Sequence, residues 1–149
     1  MPPEQLSRKE VINRIKTALE DLTDDFTGGK FFKKIIRGRY TDPPDLRFAS
    51  IIVPLVERYK EENSGTIFPH TMSADILIYA FSKLKNNDNN ADIDLDECAD
   101  KVKKAMMTVQ GLIGYEWQHD EEFEDLDNNL QGVASYFKVQ FKVAKGLIF

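Results

Sequence analysis

The chain has 149 residues, of which 42% are hydrophobic and 30% charged, with a formal net charge of −5 at pH 7. Those values predict one globular domain over residues 1–149, large enough to bury roughly 68–70% of its unfolded surface without metal or disulfide staples. Cys98 is the only cysteine, no apolar run approaches the ~20 residues that cross a bilayer, and the opening MPPEQLSRKE lacks a signal core, so no disulfide framework, cysteine-rich zinc site, membrane partner or secretory signal is expected.

The first element is a helix. Ser7 precedes Glu10 by three residues, a capping box, and Leu6 and Val11 fall at the hydrophobic-staple positions. Ile12, Ile15, Leu19 and Leu22 then recur at helical spacing, and the helix is expected to end near Thr23–Asp25. Residues 1–6 read as an N-terminal extension. After Gly28-Gly29, the segment Phe31–Tyr40 reads as a strand with basic residues between its apolar ones, which suits an edge. Pro43-Pro44 marks a turn, and Pro54 interrupts the apolar run from Phe48 to Tyr59.

From His70 to Phe81 the even positions are His70, Met72, Ala74, Ile76, Ile78 and Ala80. This period of two predicts a strand with one face buried throughout. An asparagine-rich loop over residues 86–92 leads to a second helix. Asp94 is its expected cap, and Leu95, Cys98, Ala99, Val102, Ala105, Met106 and Val109 form its apolar stripe. Lys101, Lys103 and Lys104 fall away from that stripe, and Gly111 stops the helix. Cys98 on a core-facing stripe is a packing residue by this reading.

Ile113, Tyr115 and Trp117 alternate with polar residues as a short strand. A long acidic loop is expected over residues 118–131. Val133, Phe137, Val139, Phe141 and Val143 then alternate cleanly as a half-buried strand. The order predicts an α+β fold: a single, mostly antiparallel sheet with two helices packed on one face.

Charge is unevenly spread. Residues 1–60 hold 12 Lys+Arg against 9 Asp+Glu, and residues 61–149 hold 8 against 16. Lys33, Lys34, Arg37 and Arg39 mark the basic part. Glu121, Glu122, Glu124 and Asp125 mark the acidic part. These eight residues are the candidate subunit interface, either as solvated faces or as a basic patch on one copy that meets an acidic patch on the next. A nucleic-acid groove is disfavoured by the net acidity and by the lack of a basic stripe with interleaved aromatics.

Chemical motifs fail one by one. Asp88, Asn90 and Asp92 have calcium-loop spacing, but Ile93 stands where glycine is needed and Ala99 where glutamate is needed. Gly28-Gly29-Lys30 lacks the rest of a phosphate loop. His119 sits beside Asp120 and Glu122 with no matching second ligand, and His70 opens a strand. No serine has a nucleophile-elbow context. Hence no catalytic residue, no metal and no cofactor is expected.

The layout resembles the tail terminator, or tail-completion, proteins of long-tailed bacteriophages. The resemblance covers roughly residues 7–145. It rests on the opening helix Val11-Ile12-x-x-Ile15-x-x-Ala18-Leu19, the long strand from His70 to Tyr79, the helix Asp96-x-x-Ala99-x-x-Val102-x-x-Ala105-Met106, and the closing strand Tyr136-Phe137-x-Val139-x-Phe141-x-Val143. It implies a structural virion protein, not an enzyme. Such a protein forms a homo-oligomer, a hexameric ring that caps the tail tube, stops its polymerisation and docks to the neck. The implied partners are the tail tube protein, a neck or connector protein and, in a contractile tail, the sheath protein. DNA would pass through the channel without sequence-specific binding. The implied location is the head-proximal end of the tail, after assembly in the host cytoplasm. A neck connector of the same particle, and a small α+β protein-binding module, are the alternatives.

Overall fold

Ser7 opens the first helix as its spacing predicts. In the computed structural model, which describes residues 6–25, 28–38, 48–52, 60–61, 70–83, 91–125 and 130–143, α1 spans Arg8–Glu20. The Glu10 backbone N–H donates to Ser7 Oγ at 3.2 Å, and the Ser7 N–H donates to Glu10 Oε1 at 3.3 Å. Both halves of the capping box are therefore made. Leu6 and Val11 are fully buried, and the Leu6 N–H donates to the Lys142 carbonyl at 2.7 Å. Leu6 thus belongs to the core, not to an extension.

Six strands and a second helix follow: β1 Lys34–Arg37, β2 Phe48–Ile52, β3 Lys60–Glu61, β4 His70–Lys83, α2 Ala91–Thr108, β5 Gly114–Asp125 and β6 Leu130–Val143. They form one sheet in the order β1-β2-β4-β6-β5, with β3 also paired to β4. Every pairing is antiparallel except β1 with β2. The α+β class and the mostly antiparallel sheet stand as expected.

The two long strands carry the core. Their register sets Met72 opposite Phe141, Ala74 opposite Val139, Ile76 opposite Phe137 and Ala80 opposite Val133. All eight are buried on the face that meets the helices. Val11, Ile12, Ile15 and Leu19 come from α1, and Cys98, Ala99, Val102, Ala105 and Met106 from α2. Each large side chain so buried contributes ~1.5–3 kcal/mol. The period-two and period-3.6 patterns therefore point at each other across one interface.

Four further expectations change. Phe31 and Phe32 are both buried, 1% and 2% exposed, ahead of β1. A strand sends neighbouring side chains to opposite faces, so two consecutive core residues need an irregular backbone. Tyr40 and Arg39 lie outside the described residues, as do Pro43-Pro44, Pro54 and residues 86–90 of the asparagine-rich loop. The second change is at α2, which starts at Ala91 and so places Asp94 inside the first turn instead of at the cap.

The third concerns Lys101, which is buried. Its stem lies against the turn after α1, and its Nζ donates to the Thr23 carbonyl at 2.9 Å and to Asp25 Oδ1 at 3.0 Å. A long aliphatic stem can be covered while its ammonium reaches a partner at the rim. Fourth, the acidic segment is strand, not loop. β5 continues to Asp125 and β6 begins at Leu130, so only residues 126–129 lie between them. Glutamate and aspartate are poor strand formers, but pairing with the strongly patterned β6 carries the ladder through them.

Candidate functional site

Among the described residues, the sheet ends in two edges of opposite charge. β1 is one edge and β5 the other, with β2, β4 and β6 between them. Lys34 and Arg37 are exposed at the two ends of β1, and exposed Lys33 directly precedes it. Arg39 lies outside the described residues. Glu121, Glu122, Glu124 and Asp125 all lie on β5, joined by Glu116 and Asp120. At ~4.8 Å per strand spacing, the four spacings separate the edges by roughly 19 Å. That is about two Debye lengths at physiological salt, so the two charges do not neutralise each other within one chain.

The strand pleat divides the acidic residues. Asp120 pairs with Ser135 and Glu122 with Val133, on the side of the sheet that carries the helices. Glu121 pairs with Ala134 on the other side, where Tyr136 Oη donates to Glu121 Oε2 at 3.1 Å. Burial, then this hydrogen bond and the Glu121 charge, hold the Tyr136 phenol above its ordinary value. His119 stacks on Tyr136 with ring centroids 4.2 Å apart, and its Nε2 lies 3.5 Å from Glu121 Oε1. His119 is therefore on a strand, not in a loop. A register shift between Trp117 and His119 marks a bulge that re-aims the residues after it.

His70 pairs with Val143 at the far end of β4, and His119 with Tyr136. Val143 lies seven positions along β6 from Tyr136, about 23 Å, so the two histidines occupy distant positions on the sheet. Among the described residues, no group of three His, Cys, Asp or Glu is placed to hold a metal ion. An open cleft lies between α1 and the end of α2, where Arg14 Nη1 donates to the Gln110 carbonyl at 2.9 Å. Its charged lining is Arg14 and Asp21, without histidine, cysteine or lysine.

An apolar patch adjoins the acidic edge. Met107, Ile113, Tyr115 and Trp117 are 71%, 45%, 41% and 46% exposed. Tyr115 and Trp117 pair with the core residues Val139 and Phe137, so they stand on the helix-bearing side of β5. Trp117 is held in place. Its Nε1 donates to Asp120 Oδ1 at 2.9 Å, and Lys103 Nζ sits 4.4 Å from its ring centroid while donating to Asp120 Oδ2 at 2.8 Å.

Burial pushes the Asp120 carboxyl up, but the hydrogen bonds from Lys103 and Trp117 and the Lys103 charge outweigh it and leave it below its ordinary value. Ser135 faces Asp120 across the strand pair, yet its Oγ is buried without a hydrogen bond of acceptable geometry, so the lowering belongs to Lys103 and Trp117. Sequence spacing alone did not reveal this cluster, because Lys103 and Asp120 come from different elements. The alternation of Ile113, Tyr115 and Trp117 was its only sequence signal.

No protein-family model matches the chain, and no curated protein matches it. Among solved structures, it is similar to a chain described as "Virion of native gene transfer agent (GTA) particle". The two share 10% sequence identity, with 72% of this chain and 78% of that chain covered and a TM-score of 0.49. Similarity at that level fixes no function.

Proposed function

We propose that this chain is a structural component of a phage-like particle, acting by self-contact and without bond-making chemistry, and that its specific role is that of a tail terminator ring. The observation that carries the reading is the sheet with a basic edge at β1 and an acidic edge at β5. A surface complementary to a different surface of the same molecule makes a head-to-tail contact, and such contacts close into rings when the rotation allows. An acidic edge turned toward a channel would repel passing DNA and keep it from adhering. The tube protein and the neck protein would meet the two ends of the ring, and a sheath protein its outside in a contractile tail. The reading is tested in particles. Disruption of the gene should give tails of uncontrolled length without heads, and the protein should be found at the head-proximal end of intact tails. Its absence from purified particles would refute the role.

A second reading rests on Trp117. A half-exposed tryptophan already fixed by Asp120 and Lys103 loses little freedom on contact, which is how interface anchors behave. A small protein-binding module would use the same patch on a partner of another kind. A stable monomer that forms a one-to-one complex with such a partner would favour it over the ring.

A further inference from the structure

Resting on the ring reading, we infer that neighbouring copies join by sheet continuation: the β1 edge of one copy pairs antiparallel with the Asp120–Glu124 stretch of β5 on the next. Directions follow from the pairings. β1 and β2 run the same way, β4 opposes them, β6 opposes β4, and β5 opposes β6. β1 and β5 therefore run oppositely. A second copy set beside the first with the same face up brings β1 against β5 in the antiparallel sense, the stronger of the two pairing modes.

The register places the charges. Following paired residues across the sheet, Lys34 is level with Phe48, Phe81, Gly132 and Phe123. Arg37 is level with Ile51, Ile78, Ser135 and Asp120. A neighbour placed without slip along the strands thus lays Lys34–Arg37 against Asp120–Phe123, and Lys33 beside Glu124. Arg37 then faces Asp120 and Lys33 faces Glu124, while Ile35 and Ile36 lie opposite Glu122 and Glu121 and Lys34 lies opposite Phe123, between Glu122 and Glu124. Two β5 edges would repel each other, so the same charge that welcomes β1 excludes a symmetric β5–β5 dimer. On the helix-bearing side, α1 contacts β1 and so comes to the junction with it, while exposed Tyr115 and Trp117 stand on the same side of β5 and supply apolar surface beside the charged rim.

The test reverses one edge at a time in the full chain. One variant carries Lys33→Glu, Lys34→Glu and Arg37→Glu; the other carries Glu122→Lys and Glu124→Lys. All five side chains are exposed, and circular dichroism verifies that both variants fold. By sedimentation, the wild type is expected to assemble with rising concentration. Each variant alone should need roughly 100-fold more protein, since like charges then face each other. An equimolar mixture should recover assembly with the two variants alternating, because the reversed β1 of one matches the reversed β5 of the other. Wild-type-like assembly of either variant alone, or no recovery in the mixture, overturns the junction. A wild-type protein that stays monomeric at every concentration also overturns it. The particle role fails separately: assemblies that obey the charge swaps, from a protein missing in purified particles, would leave the junction standing and remove the role.

Discussion

Lys103 and Trp117 hold each other. The ammonium lies 4.4 Å from the indole centroid and shares Asp120 with the indole N–H. Trp117 is the only tryptophan in the chain, so its emission reports on this cluster alone. Replacing Lys103 with alanine removes a cation–π contact and a charged hydrogen bond at a partly exposed site. The expected cost is about 1 kcal/mol, with a fall in tryptophan anisotropy as the ring loosens. An unchanged anisotropy would show that Lys103 does not restrain the indole.

The same cluster predicts an acid-sensitive step. The Asp120 carboxyl lies below its ordinary value of 3.8 in the folded chain. A carboxyl lowered by folding stabilises fully above its unfolded value, and that stability is lost as pH falls through the lower folded value. Urea unfolding between about pH 5 and pH 2 should show wild type losing more stability than Asp120→Asn. Parallel curves for the two proteins would remove Asp120 from the acid response.

Gly132 is required by contact, not by conformation. A Cβ there would fall on the Phe123 ring and 2.7 Å from the Ala80 carbonyl oxygen. The Phe123 ring packs against Phe81 and Tyr79, with centroids 5.1 and 5.5 Å away, so it has little room to yield. Gly132→Ala should destabilise by ~1–3 kcal/mol, and Phe123→Ala should relieve part of that in the double variant. Additive costs in thermal unfolding would place the strain elsewhere.

Lys101 and Asp25 form an unequal pair. The lysine side chain is 7% exposed and the aspartate 69%. Lys101→Ala removes buried methylenes as well as two hydrogen bonds, whereas Asp25→Ala removes one solvated partner. Expected losses are ~1–3 kcal/mol for the first and below ~0.5 kcal/mol for the second. Equal losses would mean that the charge pair, not the stem, matters.

Periodicity made most of the framework legible. Met72 to Ala80 and Val133 to Phe141 alternate because one face of each strand meets the helices, while the other is covered only in part, by Ile36, Tyr79, Phe81 and Phe123. Ser7 and Glu10 cap α1 through contacts only three residues apart. Such signals are local, so one stretch of chain contains them whole. The acidic strand escaped because its residues dislike strand geometry individually; only the ladder with β6 keeps them extended. The start of α2 lies four residues before the one that an Asp94 cap predicts, for a related reason, since a helix end depends on what precedes and covers it.

The candidate surface divides in the same way. Amino-acid order alone determined that the chain carries a basic first part and an acidic second part, with one tryptophan between polar neighbours. It could not say how far apart those charges lie, because separation along the chain does not set separation in space. Strand order decided that: β1 and β5 fall on opposite edges of the described sheet, too distant to neutralise each other. The Lys103–Trp117–Asp120 cluster likewise exists only once α2 packs beside β5, since the hydrogen bonds and the cation–π contact that fix it act over a few ångströms.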